Sequence, residues 1–217
     1  MVVIIFWHFG RKMPIRWWWV MGSCGTKMNA LMISSTAVER VSTYKLLSVV
    51  VGSNLKWEDH VSAMTSKEEY GKKNLILKKL KRAGASVEDL AYYYQAVIQP
   101  VMEYASPVWH SNLTKGQMKT LEDVQRRAVE IINGNIPYEE ACRLLNILPL
   151  ADRRLELCQT LFQQIMRDDT HVLHHLLPPK RDTQLTGRLR SFRTYPTVYA
   201  RTSHFKNSFI LHGLNKF

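Results

Sequence analysis

Between Ser86 and Met166 apolar residues recur every three to four positions, and this spacing commits the middle of the chain to amphipathic helices packed on one another. Ser86 followed by Asp89 marks a helix start, and Val87, Leu90, Ala91, Tyr94, Val97, Ile98, Val101, Met102 and Ala105 continue it as one stripe. Pro100 lies inside that stripe and predicts a kink or a split, because proline donates no backbone hydrogen bond. Thr114 with Gln117 has capping-box spacing, Met118, Leu121, Val124, Ala128, Ile131 and Ile132 follow, and Gly134 is the expected stop. Pro137 suits a further helix start, with Ala141, Cys142 and Leu145 facing inward. Asp152 to Met166 forms another helix through Leu155, Cys158, Phe162 and Ile165, and Pro178-Pro179 closes the helical region.

The flanks have a different character. From Val38 to Val51 the chain is rich in β-branched residues and ends in Gly52-Ser53-Asn54, which predicts a strand or hairpin followed by a turn. Residues 1 to 36 combine Trp17-Trp18-Trp19 with Gly10, Gly22 and Gly25 and hold no sustained period, so they read as an irregular segment. Residues 183 to 217 contain six Lys or Arg and no Asp or Glu, and self-repulsion predicts an extended tail. Four segments are thus expected: 1–36 irregular, 37–66 hairpin-like, 67–179 helical and 180–217 a basic extended tail.

Lys and Arg outnumber Asp and Glu by 30 to 18, a net +12, which favours an anionic partner such as the backbone of RNA or DNA. The charge is concentrated. Lys72, Lys73, Lys78, Lys79, Lys81 and Arg82 place six cations in one acid-free stretch, with Leu75, Ile76, Leu77 and Leu80 as its expected apolar anchor, and Arg126 and Arg127 extend the set. Such a surface tracks phosphates and releases counterions; the competing reading is a solvated helix face. No base-reading motif accompanies it, so sequence-independent binding is expected. The apolar run Met1 to Trp7 is far short of the ~20 residues a spanning helix needs, and its positive charges follow it, where a secretion signal would carry them first. Three widely spaced cysteines fit a reduced intracellular compartment, nuclear or cytoplasmic.

Several blocks occur in an order that resembles the region following the catalytic palm of LINE-type, jockey-like non-LTR retrotransposon reverse transcriptases. Val38-Glu39-Arg40-Val41-Ser42-Thr43-Tyr44-Lys45-Leu46-Leu47 and Leu55-Lys56-Trp57-Glu58-Asp59-His60-Val61 are similar to that family's YKLLGV…LxWxxHV segment. Leu80 to Gly84, Val97 to His110, Leu121 to Ala128, Tyr138 to Ala141, His174 to Pro179 and Arg201 to Ile210 continue the likeness, which covers roughly residues 38 to 217. The resemblance implies a mainly α architecture: a small hairpin ending the palm, with Tyr44, Lys45, Leu46 and Leu47 in the position of a primer grip, followed by a thumb-like helical bundle. Ser48 departs from the pattern, since the family has glycine there. Part of the region is also similar to the domain named after the N-terminus of the AlkB-homologue dioxygenase and tRNA methyltransferase, which would imply oxidation or methyl transfer. The residues oppose that label. None of the eight histidines is followed two positions later by Asp or Glu, as an H-x-D iron site requires, and no G-x-G loop awaits a nucleotide-like cofactor.

Nucleotidyl transfer requires carboxylates that hold two metal ions. The resemblance places them upstream of Tyr44, yet residues 1 to 37 contain no Asp or Glu. The expectation is a catalytically inactive remnant of an RNA-directed DNA polymerase, with no catalytic residue, metal, cofactor, small-molecule substrate or membrane partner. The alternative is a domesticated nucleic-acid-binding helical protein. Asp168-Asp169 imitates a polymerase motif but ends an amphipathic helix, and reads as a solvated helix end. His171, His174 and His175 lack a fourth ligand at metal-site spacing and read as core-edge histidines. Cys142 and Cys158 read as buried hydrophobes, and Trp57 with His60 and Trp109 with His110 as packing anchors.

Overall fold

In the expected hairpin, β-branched residues build two short strands joined by the tightest connection available. The computed structural model describes residues 41–66, 70–181 and 194–217, together with the backbone of short strands at 3–4, 16–19, 32–33, 36–37 and 39–40. Numbered along the chain, these strands are β1 (Val3–Ile4), β2 (Arg16–Trp19), β3 (Met32–Ile33), β4 (Thr36–Ala37) and β5 (Glu39–Arg40). The hairpin itself is β6 (Thr43–Leu46) and β7 (Val49–Gly52), antiparallel, with Tyr44 opposite Val51 and Lys45 opposite Val50. Leu47 and Ser48 form the turn with φ of 44° and 67°, the left-handed twist that matches the strands of a two-residue hairpin. Helix α1 (Glu58–Met64) packs on β7, burying Val49, Trp57, Val61 and Met64. The Val50 N–H donates to Nδ1 of His60 at 3.3 Å, and Trp57 meets the His60 ring edge-on at 6.1 Å.

Strand pairing also enters the segment read as irregular. β1 pairs antiparallel with β2, β2 pairs parallel with β5, and β3 pairs antiparallel with β4. Each strand there is two to four residues long, too short for an alternating pattern to register in sequence. The remaining residues before 39 lie outside the described residues, and so does the rest of that expectation.

The chain divides into two compact units, Met1–Glu69 and Tyr70–Phe217. The second is a helical bundle, so the molecule is mainly α with a small antiparallel hairpin, as the sequence predicts. Its elements are α2 (Lys72–Arg82), α3 (Val87–Tyr93), a π-turn (Tyr94–Ile98), α4 (Gln99–Glu103), α5 (Ser106–Trp109), α6 (Lys115–Asn133), α7 (Tyr138–Leu144) and α8 (Leu150–Arg167). The Ser86 hydroxyl accepts the Asp89 N–H at 3.1 Å, and Thr114 and Gln117 complete the predicted capping box of α6. Gly134, at φ 73°, stops α6 where expected. At Pro100 the outcome is subtler than a kink: the helix widens into the π-turn that ends just ahead of the proline. The stripe then stops at Glu103, short of Ala105, whose φ of 52° breaks the chain into α5.

The core of this unit is formed by Leu77, Tyr94, Ile98, Trp109, Leu121, Leu150 and Ile165, all inaccessible to solvent. A polar spine runs through it. The Tyr94 hydroxyl donates to Gln125 Oε1 at 2.7 Å, and Gln125 Nε2 donates to the Leu148 carbonyl at 2.9 Å. The Glu122 carboxylate accepts the Leu150 and Ala151 N–H groups at 3.3 Å each, which settles a negative charge at the start of α8.

The basic tail is not extended throughout. Ser203–Lys206 forms α9 and Phe209–Lys216 forms α10, and the latter packs on α8. Phe209 and Phe217 stand 6.2 and 6.0 Å from the Phe162 ring, and Gly213 lies so close that an added Cβ would meet Phe162 Cδ2 at 2.4 Å. Charge repulsion yields here because the cations are dispersed, whereas Phe209 and Phe217 gather on Phe162 and Leu211 is buried. Residues 182–193 of the expected tail lie outside the described residues.

Candidate nucleic-acid interface

Helix α2 coincides with the predicted basic stretch and begins and ends on its cations. It is held inward by Tyr70, Asn74 and Leu77, with the Tyr70 hydroxyl donating to the Val124 carbonyl on α6. At 100° per residue, Lys72, Lys79 and Arg82 fall opposite Leu77, with Lys78 on the flank. All four are exposed, and none forms an ion pair with a described residue. Lys73 turns inward and is half-buried. The expected apolar anchor is narrower than read: Leu77 is buried and Leu80 half-buried, whereas Leu75 and Ile76 are 51% and 46% exposed. Two apolar side chains therefore sit among four exposed cations.

Lys81 does something else. Its Nζ donates to the Ile131 and Ile132 carbonyls at 2.7 and 3.2 Å, so it closes the C-terminal end of α6, where helix carbonyls have no partner of their own. A sequence cannot separate this lysine from its neighbours, since the acceptors are fifty residues away.

On α6, Arg126 lies 4.9 Å over the Tyr138 ring and 4.0 Å from Asp123, while Arg127 is exposed and close enough to Tyr70 to oppose the upward shift that burial gives its hydroxyl. Arg127 thus stands beside the first turn of α2; Arg126 is engaged with α7. In the first unit, Tyr44 and Leu46 are half-buried, Lys45 is exposed, and Leu47 at the hairpin tip is 79% exposed. No family model, curated protein or solved structure matches the chain.

The other chemically suggestive residues find structural employment. Asp168 follows the last residue of α8, is exposed, and accepts from the Thr170 N–H and hydroxyl at 2.9 and 2.6 Å, which holds its carboxyl below the usual range. His174 Nε2 lies 3.1 Å from Asp169, and His171 Nδ1 accepts the Leu173 N–H. Among the described residues no group of three or more His, Cys, Asp or Glu is placed to hold a metal ion, and no helix is long and apolar enough to cross a membrane. Cys142 and Cys158 are buried, and burial raises both thiols, that of Cys158 to about 11. Arg154, inaccessible to solvent, lies 5.6 Å over Trp109 and donates from Nε to His110 Nδ1 at 3.4 Å.

Proposed function

We propose that the chain is a thumb-like region derived from a LINE-type reverse transcriptase, without polymerase activity of its own, and that it holds RNA or DNA by the phosphate backbone. The observation that carries this reading is the outward face of α2, where Lys72, Lys78, Lys79 and Arg82 are exposed around Leu75 and Ile76 and form no ion pair with a described residue. Such a face loses little on meeting phosphates, because no ion pair to a described residue must first be broken. The block order shared with the retrotransposon family supplies the context, in which Tyr44, Lys45, Leu46 and Leu47 stand in the position of a primer grip. Binding is sequence-tolerant, since cations contacting phosphates carry no base information.

The test is the salt dependence of binding. Substituting Lys78, Lys79 and Arg82 by Ala, with Lys81 retained to keep α6 closed, removes three phosphate contacts. On a duplex probe the slope of log affinity against log salt flattens by about 0.9 per contact removed, or about 0.7 on a single strand. An unchanged slope in a variant with native circular dichroism would leave α2 a solvated face and defeat the reading.

A further inference from the structure

Between the π-turn with α4 and the loop entering α8, the helical unit carries a polar cleft of about 360 Å³. Three carboxamides line it. Those of Gln95 and Asn146 make no hydrogen bond to a described residue, and Gln99 donates from Nε2 to Glu103 Oε1 at 2.6 Å, which leaves its own oxygen open. Arg153 Nε lies 3.3 Å from the same Glu103 oxygen, and Arg153 also reaches Glu156 at 3.5 Å. Leu148 supplies an exposed apolar wall, and Tyr92, 73% exposed, lies three residues before Gln95 on the same helical surface.

Two backbone features mark the same place. The π-turn puts Gln95 and Gln99 at its rim, and wide turns of this kind recur at functional sites. Asn146 adopts φ 52°, the left-handed conformation with which asparagine can end a helix, so the close of α7 sets its carboxamide at the cleft.

We propose that this cleft takes one unstacked nucleobase of a single-stranded nucleic acid. A carboxamide offers a donor beside an acceptor, the pattern that base edges present in return, and the Glu103 carboxylate accepts from an exocyclic amine. The volume lies within the range of sites that enclose a small ligand, and the apolar wall covers a base face. Tyr92 offers a ring on which the neighbouring base stacks. A duplex cannot enter such a recess, because its bases are stacked and their Watson–Crick edges paired, whereas single strands splay theirs outward. The inference deepens the proposed function and rests on it for the identity of the polymer. It adds a base-dependent contact where α2 provides only a base-blind one.

The experiment compares an octameric single-stranded DNA of mixed bases with an abasic octamer of the same length and charge, both fluorescein-labelled, on the full chain. The base-bearing octamer binds about tenfold tighter, within the discrimination one well-made amide–base pair supplies. In the double variant Gln95→Ala/Asn146→Gly that ratio falls severalfold, to what stacking on Tyr92 alone supplies, and with Tyr92→Ala added it falls to near unity, while the salt slope stays as in wild type. None of these substitutions touches the core, and glycine suits the φ of Asn146. Equal affinity of the two octamers for wild type, or a ratio that survives the double variant, overturns the cleft while leaving the α2 reading intact. If neither octamer binds, the α2 reading fails, and the cleft is then decided by titrating AMP and CMP. Shifts of the Gln95 and Asn146 side-chain amide resonances support it, and unmoved resonances overturn it.

Discussion

Ser48 shows how much a single position decides. Both residues of the β6–β7 turn have positive φ, and at 67° Ser48 adopts a conformation in which an L side chain crowds the following carbonyl at a cost of roughly 1–2 kcal/mol. The Ser48→Gly variant relieves this and gives back part of the gain as unfolded-chain entropy, for a net stabilisation of about 0.5–1 kcal/mol. Thermal unfolding followed by the indole N–H resonance of Trp57 checks it, and an unchanged or lower midpoint would show that the turn is not strained. The resemblance drew attention to Ser48 because its family carries glycine there. Only the backbone angle says why the difference matters. Lys81 teaches the reverse lesson, since sequence grouped it with the outward-facing cations of α2 and its acceptors across the bundle take it out of that group.

Among the elements, those written in local chemistry were legible and those written in distant contacts were not. The caps at Ser86 and Thr114 and the stop at Gly134 were readable because each is satisfied within four residues. By contrast, α10 exists through Phe162, nearly fifty residues upstream, and the short β1, β2 and β5 strands through one another, so neither left a periodic trace. Helix α6 allows the two kinds of cap to be compared, because Thr114 closes its first turn and Lys81 its last. Thr114→Ala costs about 1 kcal/mol, the usual value for a lost hydroxyl cap. Lys81→Met keeps the aliphatic stem, removes a charged donor from two carbonyls and costs about 1 kcal/mol. A helix of 19 residues separates the sites by roughly 28 Å, so the double variant adds the two losses in its urea midpoint. A Lys81→Met variant of unchanged stability would return Lys81 to the phosphate-binding set.

At the scale of the whole molecule, the class of fold and the basic helix were legible, but which cations face outward was not, because that depends on the direction in which Leu77 is buried. The response to acid was equally hidden, and it follows from two histidines, one in each unit. His110 accepts a hydrogen bond from buried Arg154, so its Nδ1 is unprotonated, and burial first, then the charges of Arg154, His212 and Lys216, lower its pKa to about 4. His60 accepts the Val50 N–H through Nδ1 and is lowered by burial to about 4 as well. In the unfolded chain both titrate near 6.5, so as pH falls the unfolded state takes up protons first. The stabilisation is therefore complete above pH 6.5, is lost as pH falls from about 6.5 to about 4, and changes no further below that. A difference of about 2.5 units amounts to on the order of 3 kcal/mol for each histidine at the lower end. Urea midpoints fall sharply for both units between pH 7 and pH 4.5, with the indole N–H resonance of Trp109 reporting the bundle and that of Trp57 the hairpin. His110→Asn, which cannot take up a proton, lowers stability at pH 7 through lost packing but flattens the pH dependence of the Trp109 transition and leaves that of Trp57 unaltered. If the Trp109 transition of that variant keeps the wild-type pH dependence, the Arg154–His110 contact is not what makes the bundle acid-sensitive, and the protons enter elsewhere.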